Sequence, residues 1–210
     1  MRTSVRCVLV ACVLIAIAQP ERAFAQTGMT IRGYIAAGST WLTAADSFDA
    51  VAGTNRTSSI GGGGAVTLWK SAFVDVAVLR MKVEGERVFV DQGTVYDLGI
   101  PLTVTMIPLD VAAGWRQRGR ISPYGAIGLS RVSYSERSDF AGDGEDFDES
   151  GTGLLLLGGA DVTISKLLHV GAEARYRGVD GALGDTGVSG VFDERSIGGF
   201  AVSVRISVGR

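Results

Sequence analysis

Hydrophobic and polar residues alternate with a period of two in eight segments of the chain. In the last segment, large apolar side chains occupy the even positions from Phe200 to Val208, whereas the odd positions carry small or charged side chains such as Arg205. This alternation predicts a β-strand with one apolar face. The eight segments are residues 29–41, 59–69, 72–83, 96–116, 121–134, 151–164, 167–179 and 196–210.

One of these segments, residues 96–116, changes phase along its length. Apolar side chains hold the even positions as far as Met106 and the odd positions from Leu109 onward, so the pattern shifts near Pro108. A β-bulge or a tight turn would each cause this shift, and proline is compatible with both. A bulge gives eight strands in total and a turn gives nine.

An internal repeat favours the bulge and eight strands. Residues 62–74 resemble residues 158–170 at an offset of 96, sharing a Gly-Gly pair, a Val-Thr pair and a lysine. Residues 34–38 recur as residues 124–128 at an offset of 90. Each half of the chain then contains four strands. The alternative is chance similarity in a chain rich in glycine and valine.

The connections between the segments alternate between short and long. Short connections lie near Lys70, at residues 117–120 and near Lys166. The long connections are polar, glycine-rich or acidic. They span residues 42–58, 84–95, 135–150 and 180–195. Strict alternation over an even number of strands is typical of outer-membrane barrels, with short periplasmic turns and long extracellular loops.

Charged residues also separate between the two faces of the strands, according to whether they occupy odd or even positions, which we call parity. On the face predicted to meet lipid, the clear charges are Arg80 and Arg131, both near the loop-side ends of their strands. We predict that nine charges face the interior and pair there: Arg32, Asp75, Asp110, Arg116, Asp161, Glu173, Arg175, Arg177 and Arg205. Because eight strands enclose only enough space for side chains, this interior should be filled and lack a channel. A lipocalin-like soluble barrel would sort its residues the other way.

The first 25 residues have the features of a secretory signal peptide. Arg2 and Arg6 precede an apolar run at residues 7–18, and Ala23-Phe24-Ala25 fits a cleavage site. The run is too short to span a bilayer as a helix. Residues 26–210 would then be the mature barrel domain and would contain no cysteine. A lipoprotein signal ending at Cys12 is the alternative.

Composition narrows the class of protein further. Glycine accounts for 30 of 210 residues, which disfavours a helical bundle because glycine destabilises helices. The net charge of −2 argues against nucleic acid as a partner. Mean hydropathy is +0.26, high for a chain without a long membrane-spanning apolar run.

Four stretches resemble the small outer-membrane β-barrel proteins typified by the membrane domain of outer-membrane protein A and by opacity-like proteins. They are Gly33-Tyr34, residues 107–116, residues 122–126 and the alternating residues 200–208. The resemblance implies an all-β, closed, antiparallel, up-and-down transmembrane barrel in the bacterial outer membrane. It also implies outer-membrane lipids, lipopolysaccharide and the insertion machinery as partners. Such barrels usually end on an aromatic residue, whereas this sequence ends Val208-Gly209-Arg210.

Candidate catalytic and metal-binding residues are few. His169 is the only histidine and is placed at the periplasmic end, and no H-E-x-x-H or G-x-S-x-G pattern occurs. The acidic residues 143–149 offer oxygen ligands for Ca²⁺ but lack the spacing of an EF-hand, which favours a solvated loop. We therefore predict no cofactor and no catalytic or metal site.

The sequence favours a non-enzymatic outer-membrane protein with a structural or surface-interaction role that depends on its long extracellular loops. Three alternatives stay open. The first is a narrow transport barrel for small hydrophobic molecules, similar to the outer-membrane protein W family. The second is a soluble periplasmic binding barrel, and the third is an enzyme acting on lipid A. The extracellular ligand is not identified by the sequence.

Overall fold

Eight antiparallel strands form most of the computed structural model, which describes residues 29–68, 71–91, 94–138, 147–181, 183 and 188–209. The strands are β1 (Thr30–Leu42), β2 (Arg56–Leu68), β3 (Ala72–Asp91), β4 (Thr94–Arg116), β5 (Ile121–Arg137), β6 (Phe147–Thr163), β7 (Leu168–Gly178) and β8 (Gly199–Gly209). Each strand pairs with the next, and β1 pairs with β8. The prediction of a closed eight-stranded barrel is confirmed.

The strand register fixes the tilt of the strands. From Trp41, the paired residues lead through Phe200 of β8 and Tyr176 of β7 around the barrel and return to β1 at Ile31, ten residues from the start. A shift of this size over eight strands corresponds to a tilt of roughly 40°. The resulting interior is just wide enough for side chains.

The outward side chains form an apolar belt around the barrel. In β8, Val202 and Val204 are exposed, whereas Arg205 is 1% exposed and points inward. Similar alternation occurs in β3, where Val74, Val76 and Val78 face outward. This is the sorting required in a bilayer and the reverse of that in a soluble binding barrel.

Exposed aromatic residues lie at both ends of this belt. Trp41, Phe200 and Tyr176 are neighbours on β1, β8 and β7 near the loop-side ends of those strands. Trp115 is exposed at the turn-side end of β4. These positions suit the two membrane interfaces, where aromatic rings are enriched. Tyr96 is also exposed, but it lies in the outer extension of β4, opposite Phe89.

The predicted bulge at Pro108 is wrong, although the strand count that it supported is correct. Even positions from Leu102 to Arg116 face inward and are mostly buried, without a change of phase, while Ile107 and Leu109 are exposed. The apolar residues at even positions before Pro108 therefore face an apolar part of the interior. The sequence pattern changed phase because the lining of the interior changes from apolar to polar.

The irregularity in β4 lies nearer its start. The register between β3 and β4 shifts between Arg87 and Val88, which pair with Ile100 and Asp97. Gly99 lies in the extra stretch with a φ of 64°, a left-handed conformation that glycine adopts without steric cost. Leu98, the other residue of the extra stretch, is exposed, and the inward-facing residues follow this bulge.

The loop side contains more regular structure than the sequence predicted. Strand β3 continues as far as Asp91 and β4 begins at Thr94, so the two strands pair as a hairpin that extends beyond the rest of the barrel. Two helices, α1 (Ala45–Ala52) and α2 (Val188–Val191), lie in two of the other connections. In the described part of the chain, no helix has both the length and the hydrophobicity to cross a membrane. The short connections at residues 117–120 and 164–167 are confirmed.

Several sequence predictions lie outside the described residues. These are the signal peptide at residues 1–25, the turn at Lys70 and residues 143–146 of the acidic segment.

Candidate functional site

All nine charges predicted to face the interior lie within the barrel and are connected through side-chain contacts. We call this set the ion network; it comprises Arg32, Asp75, Asp110, Arg116, Asp161, Glu173, Arg175, Arg177 and Arg205. The Arg32 side chain is 18% exposed, and the other eight are 5% exposed or less. Five guanidinium groups therefore share the interior with four carboxylates.

The loop-side half of the ion network is built around two arginines of β7. Arg175 donates from Nε to Oε1 of Glu173 at 2.5 Å and from Nη1 to Oδ2 of Asp110 at 2.7 Å. Its Nη2 lies 3.4 Å from Oδ1 of Asp75. Arg177 donates to both oxygens of Asp110, at 2.7 and 3.1 Å. Each carboxylate in this half thus contacts a guanidinium group.

The turn-side half is built around Asp161 of β6. Arg205 donates to both of its oxygens, at 2.9 and 2.8 Å, in the bidentate geometry that favours arginine–carboxylate pairs. Arg116 donates to Oδ2, and Nη1 of Arg32 lies 3.8 Å from the same atom. Arg205 also donates from Nη1 to Oε2 of Glu173 at 3.0 Å. Glu173 therefore joins the two halves.

Two tyrosines complete the ion network, although neither is among the residues that the sequence predicts for the interior. The hydroxyl of Tyr34 donates to Asp75 at 2.8 Å and accepts from Arg175 at 2.9 Å. The hydroxyl of Tyr124 donates to Glu173 at 2.9 Å. Tyr34 and Asp75 belong to β1 and β3, and Tyr124 and Glu173 belong to β5 and β7. The sequence feature that could have identified them is the recurrence of Tyr34 as Tyr124, at an offset of 90 residues.

The repeated glycines make room for these tyrosines. Tyr34 pairs with Gly63, and Tyr124 pairs with Gly159. A Cβ added to Gly63 would lie 2.7 Å from the Tyr34 hydroxyl, and one on Gly159 would lie 2.5 Å from the Tyr124 hydroxyl. The guanidinium carbon of Arg205 lies 4.9 and 4.4 Å from the centres of the two rings, within cation–π range. The two halves of the barrel thus repeat one arrangement.

An apolar layer lies on the loop side of the ion network. We call it the apolar cap; its buried members are Leu42, Ala44, Phe48, Met81, Val83, Leu102, Val104, Met106, Val132, Tyr134, Val179 and Ile197. It includes the residues of β4 whose parity misled the prediction of a bulge. Phe48 of α1 is 4% exposed, so the helix contributes directly to the packing.

Helix α1 is held over the barrel by contacts at both of its ends. Ala44 precedes it and offers no side-chain cap. Glu194 supplies one instead, because its carboxylate accepts the backbone N–H groups of Asp46 and Ser47 at 3.1 and 2.8 Å. At the other end Gly53 adopts a φ of 66° and donates its N–H to a helix carbonyl. The helix is therefore tied to the loop-side connection between β7 and β8.

A cavity of about 410 Å³ opens between the two helices and the extended hairpin. Its walls include the apolar residues Phe48, Val51 and Leu102 and the charged residues Arg87 and Glu136. We call it the mouth cavity. It adjoins the apolar cap and faces away from the ion network.

The hydroxyl of Tyr134, which also lines the mouth cavity, donates to Glu136. Burial and the Glu136 carboxylate both raise the pKa of Tyr134, so this phenol stays protonated and acts as a donor.

The other candidate residues are placed as follows. His169 is buried near the turn-side end of β7, with Nδ1 3.1 Å from the hydroxyl of Thr163. Of the acidic segment, Asp148 is described and forms an exposed ion pair with Arg137 at 2.5 Å. Within the described residues, no group of three or more histidine, cysteine, aspartate or glutamate side chains is arranged to hold a metal ion. Residues 143–146, which supply most of the carboxylates of the Ca²⁺ alternative, lie outside the described residues.

Comparisons with solved structures give similar barrels. Neisserial surface protein A superimposes with a TM-score of 0.52 at 13% identity, covering 86% of this chain and 96% of the other. The attachment invasion locus protein Ail of Yersinia pestis, in complex with the heparin analogue sucrose octasulfate, gives 0.51 at 11%, with 86% and 97% covered. A major outer membrane protein from Thermus thermophilus gives 0.54 at 10%, with 86% and 99% covered. At these identities the likeness concerns the fold alone.

Sequence comparison supports the same assignment. Among proteins with curated functions, none matches this chain in sequence. The family model for the outer membrane protein beta-barrel domain matches residues 8–199, which is most of the chain. The chain therefore belongs to the outer membrane protein beta-barrel domain family and is located in the bacterial outer membrane.

Proposed function

We propose that this protein is a non-enzymatic outer-membrane barrel that is closed to solutes and acts at the cell surface through its extracellular elements. The observation that carries the proposal is the stacking of two filled layers inside one barrel. The ion network occupies the layer within the membrane and the apolar cap lies over it. A solute would have to disrupt both layers to pass.

The ion network is proposed to have a structural role. Buried charges are tolerated when each is paired and hydrogen-bonded, and removal of one partner leaves the other uncompensated. Each carboxylate of the network contacts at least one guanidinium group. The network would therefore fix the packing of the interior and hold the strands in register.

The extracellular elements support a surface role. Helix α1 and the extended hairpin enclose the mouth cavity on the loop side of the barrel. The short turns on the other side present a much smaller surface to a partner. The protein Ail, which shares the fold, is known in complex with a heparin analogue. We propose that the loop-side elements of this chain likewise form the contact surface for an extracellular partner.

The mouth cavity gives some support to a second function, passage of small hydrophobic molecules into the membrane. Its apolar walls would suit such a ligand. However, Met106 and Val132 of the apolar cap are 0% and 1% exposed. We propose that the cavity binds molecules at the surface and does not lead into the barrel.

We propose no catalytic activity for the described residues. His169 is the only histidine, lies at the turn-side end and contacts Thr163. It is distant in the fold from the mouth cavity on the loop side, where a lipid or surface ligand would bind. Lipids and lipopolysaccharide of the outer membrane, and the machinery that inserts barrels there, are the other partners that we propose.

Planar bilayer recording tests the proposal. The refolded protein, inserted into a bilayer between identical potassium chloride solutions, is expected to give no sustained current steps, because an eight-stranded barrel has no room for a channel beside its side chains. An open porin reconstituted in the same way provides the positive control. Regular current steps from the folded protein would contradict a closed barrel and favour the transport function.

A further inference from the structure

Two arginines interrupt the apolar outer face of the barrel. Arg80 of β3 and Arg131 of β5 are exposed and lie on the outward parity of their strands. An arginine facing hydrocarbon is costly unless its head reaches a polar group at the interface. Their presence on this face therefore requires an explanation that packing within the barrel does not supply.

Both arginines mark the row at which the apolar belt ends. Arg80 lies between Ile60 and Ile107 in the register, and Arg131 lies beside Leu109. These three apolar neighbours are 66%, 41% and 44% exposed. The next outward positions toward the loops are polar: Ser58, Lys82, Thr105 and Ser133. The guanidinium groups are thus placed where headgroups meet acyl chains in the outer leaflet.

The two arginines are close enough to act on one molecule. They lie on either side of β4, beside Ile107 and Leu109, so two strand spacings and an offset of two residues place their Cα atoms roughly 12 Å apart. The tilt of the strands compensates for the offset of two residues along β4 and brings both to a similar depth. The space between them is covered by outward apolar side chains.

Neither arginine is neutralised within the described part of the chain. No described carboxylate forms an ion pair with either one, and Arg131 donates from Nη2 to the hydroxyl of Ser150 at 3.2 Å. By contrast, Lys82 and Arg137 on the same side pair with Glu84 and Asp148. Arg80 and Arg131 thus present two guanidinium groups to an external anion.

We propose that Arg80 and Arg131 form a binding site for the two phosphates of one lipopolysaccharide molecule. Guanidinium groups bind phosphate oxygens in bidentate geometry. The lipid A headgroup carries a phosphate at each end of a disaccharide, whose length is comparable to the separation of the two arginines. Its acyl chains would lie along Ile60, Ile107 and Leu109. The proposal rests on the outer-membrane location and is independent of the closed interior.

Lipid binding by the refolded protein in a nonionic detergent tests this site. Native mass spectrometry would compare bis-phosphorylated lipid A with the same lipid after dephosphorylation. We expect a preference of about tenfold or more for the phosphorylated lipid. The double variant R80Q/R131Q should lose this preference, whereas R80K/R131K should keep part of it. The matched control is R118Q, which removes an exposed arginine from a periplasmic turn and should leave the preference intact.

Three results would overturn the proposal. The first is a preference that survives in R80Q/R131Q, and the second is an equal loss in R118Q, which would indicate general electrostatic attraction. The third is displacement of lipid A by millimolar inorganic phosphate, which would indicate a site for free anion. Heat-modifiable gel mobility would verify folding of each variant. If the double variant does not fold, the single variants R80Q and R131Q decide the question, and each should lose part of the preference.

Discussion

Replacing Glu173 with alanine is expected to destabilise the folded barrel by about 3–5 kcal/mol, because it breaks a buried ion pair and leaves its partners uncompensated. Glu173 accepts from Arg175, Arg205 and Tyr124, and it joins the two halves of the ion network. Urea unfolding of the protein in lipid vesicles would measure the change. On gels, the temperature at which mobility shifts should fall.

The matched control for this variant is Glu84→Ala. Glu84 is also a glutamate in a strand, paired with Lys82 at 2.6 Å, but its side chain is 76% exposed. Exposed ion pairs contribute little because water already solvates both charges. We expect no measurable change in unfolding. If Glu173→Ala were as stable as Glu84→Ala, the ion network would not stabilise the barrel.

Placing an arginine at Val204 is expected to cost about 2–4 kcal/mol in a bilayer, the penalty for a lipid-facing arginine near mid-depth. Val204 is 59% exposed and lies at the centre of β8. The control is Val208→Arg. Val208 is similarly exposed, at 57%, but lies near the end of the strand.

The cost of Val208→Arg should be only about 0–1 kcal/mol, because the side chain can reach the interface. Reversible unfolding from vesicles of defined composition would measure both variants. Equal costs at the two positions, or a larger cost at Val208, would mean that depth in lipid does not set the penalty. The outward face would then not be the membrane face.

Alternation in the sequence predicted the strands and the burial of charge well. Side chains of a strand point alternately to its two faces, so parity is a local property that one chain segment reveals. Arg205 and Val204 are adjacent in sequence yet lie on opposite faces, and this contrast recurs in most strands. For that reason the nine interior charges could be assigned without any knowledge of their contacts.

Parity alone could not identify the apolar cap. It separates two faces of a strand but does not say which medium each face meets. By their apolar character alone, Leu102, Val104 and Met106 would be assigned to the lipid-facing side, whereas they pack inside the barrel above the charges. The interior changes character with depth, and that change depends on the other strands of the barrel.

The loop side was predictable only in part. The extended hairpin has no continuous apolar face, so its sequence resembles a polar loop although residues 84–91 pair with residues 94–103. Helix α1 depends on Glu194, which is 147 residues away from Ser47 in the sequence. Contacts at such separation leave no periodic signal in either segment. The mouth cavity, which these elements enclose, could not be predicted for the same reason.

We infer that the apolar face of each strand meets lipid and that the charged face meets a filled interior. The two cysteines of the chain are Cys7 and Cys12, so residues 26–210 accept single cysteines for nitroxide labelling without background. Labels would be placed along β8 at positions 202, 203, 204, 206 and 207, and collision with oxygen and with a water-soluble nickel complex would be measured in vesicles. We expect high oxygen accessibility at positions 202, 204 and 206 and low accessibility to both reagents at positions 203 and 207. Higher oxygen accessibility at positions 203 and 207 than at their neighbours would contradict it.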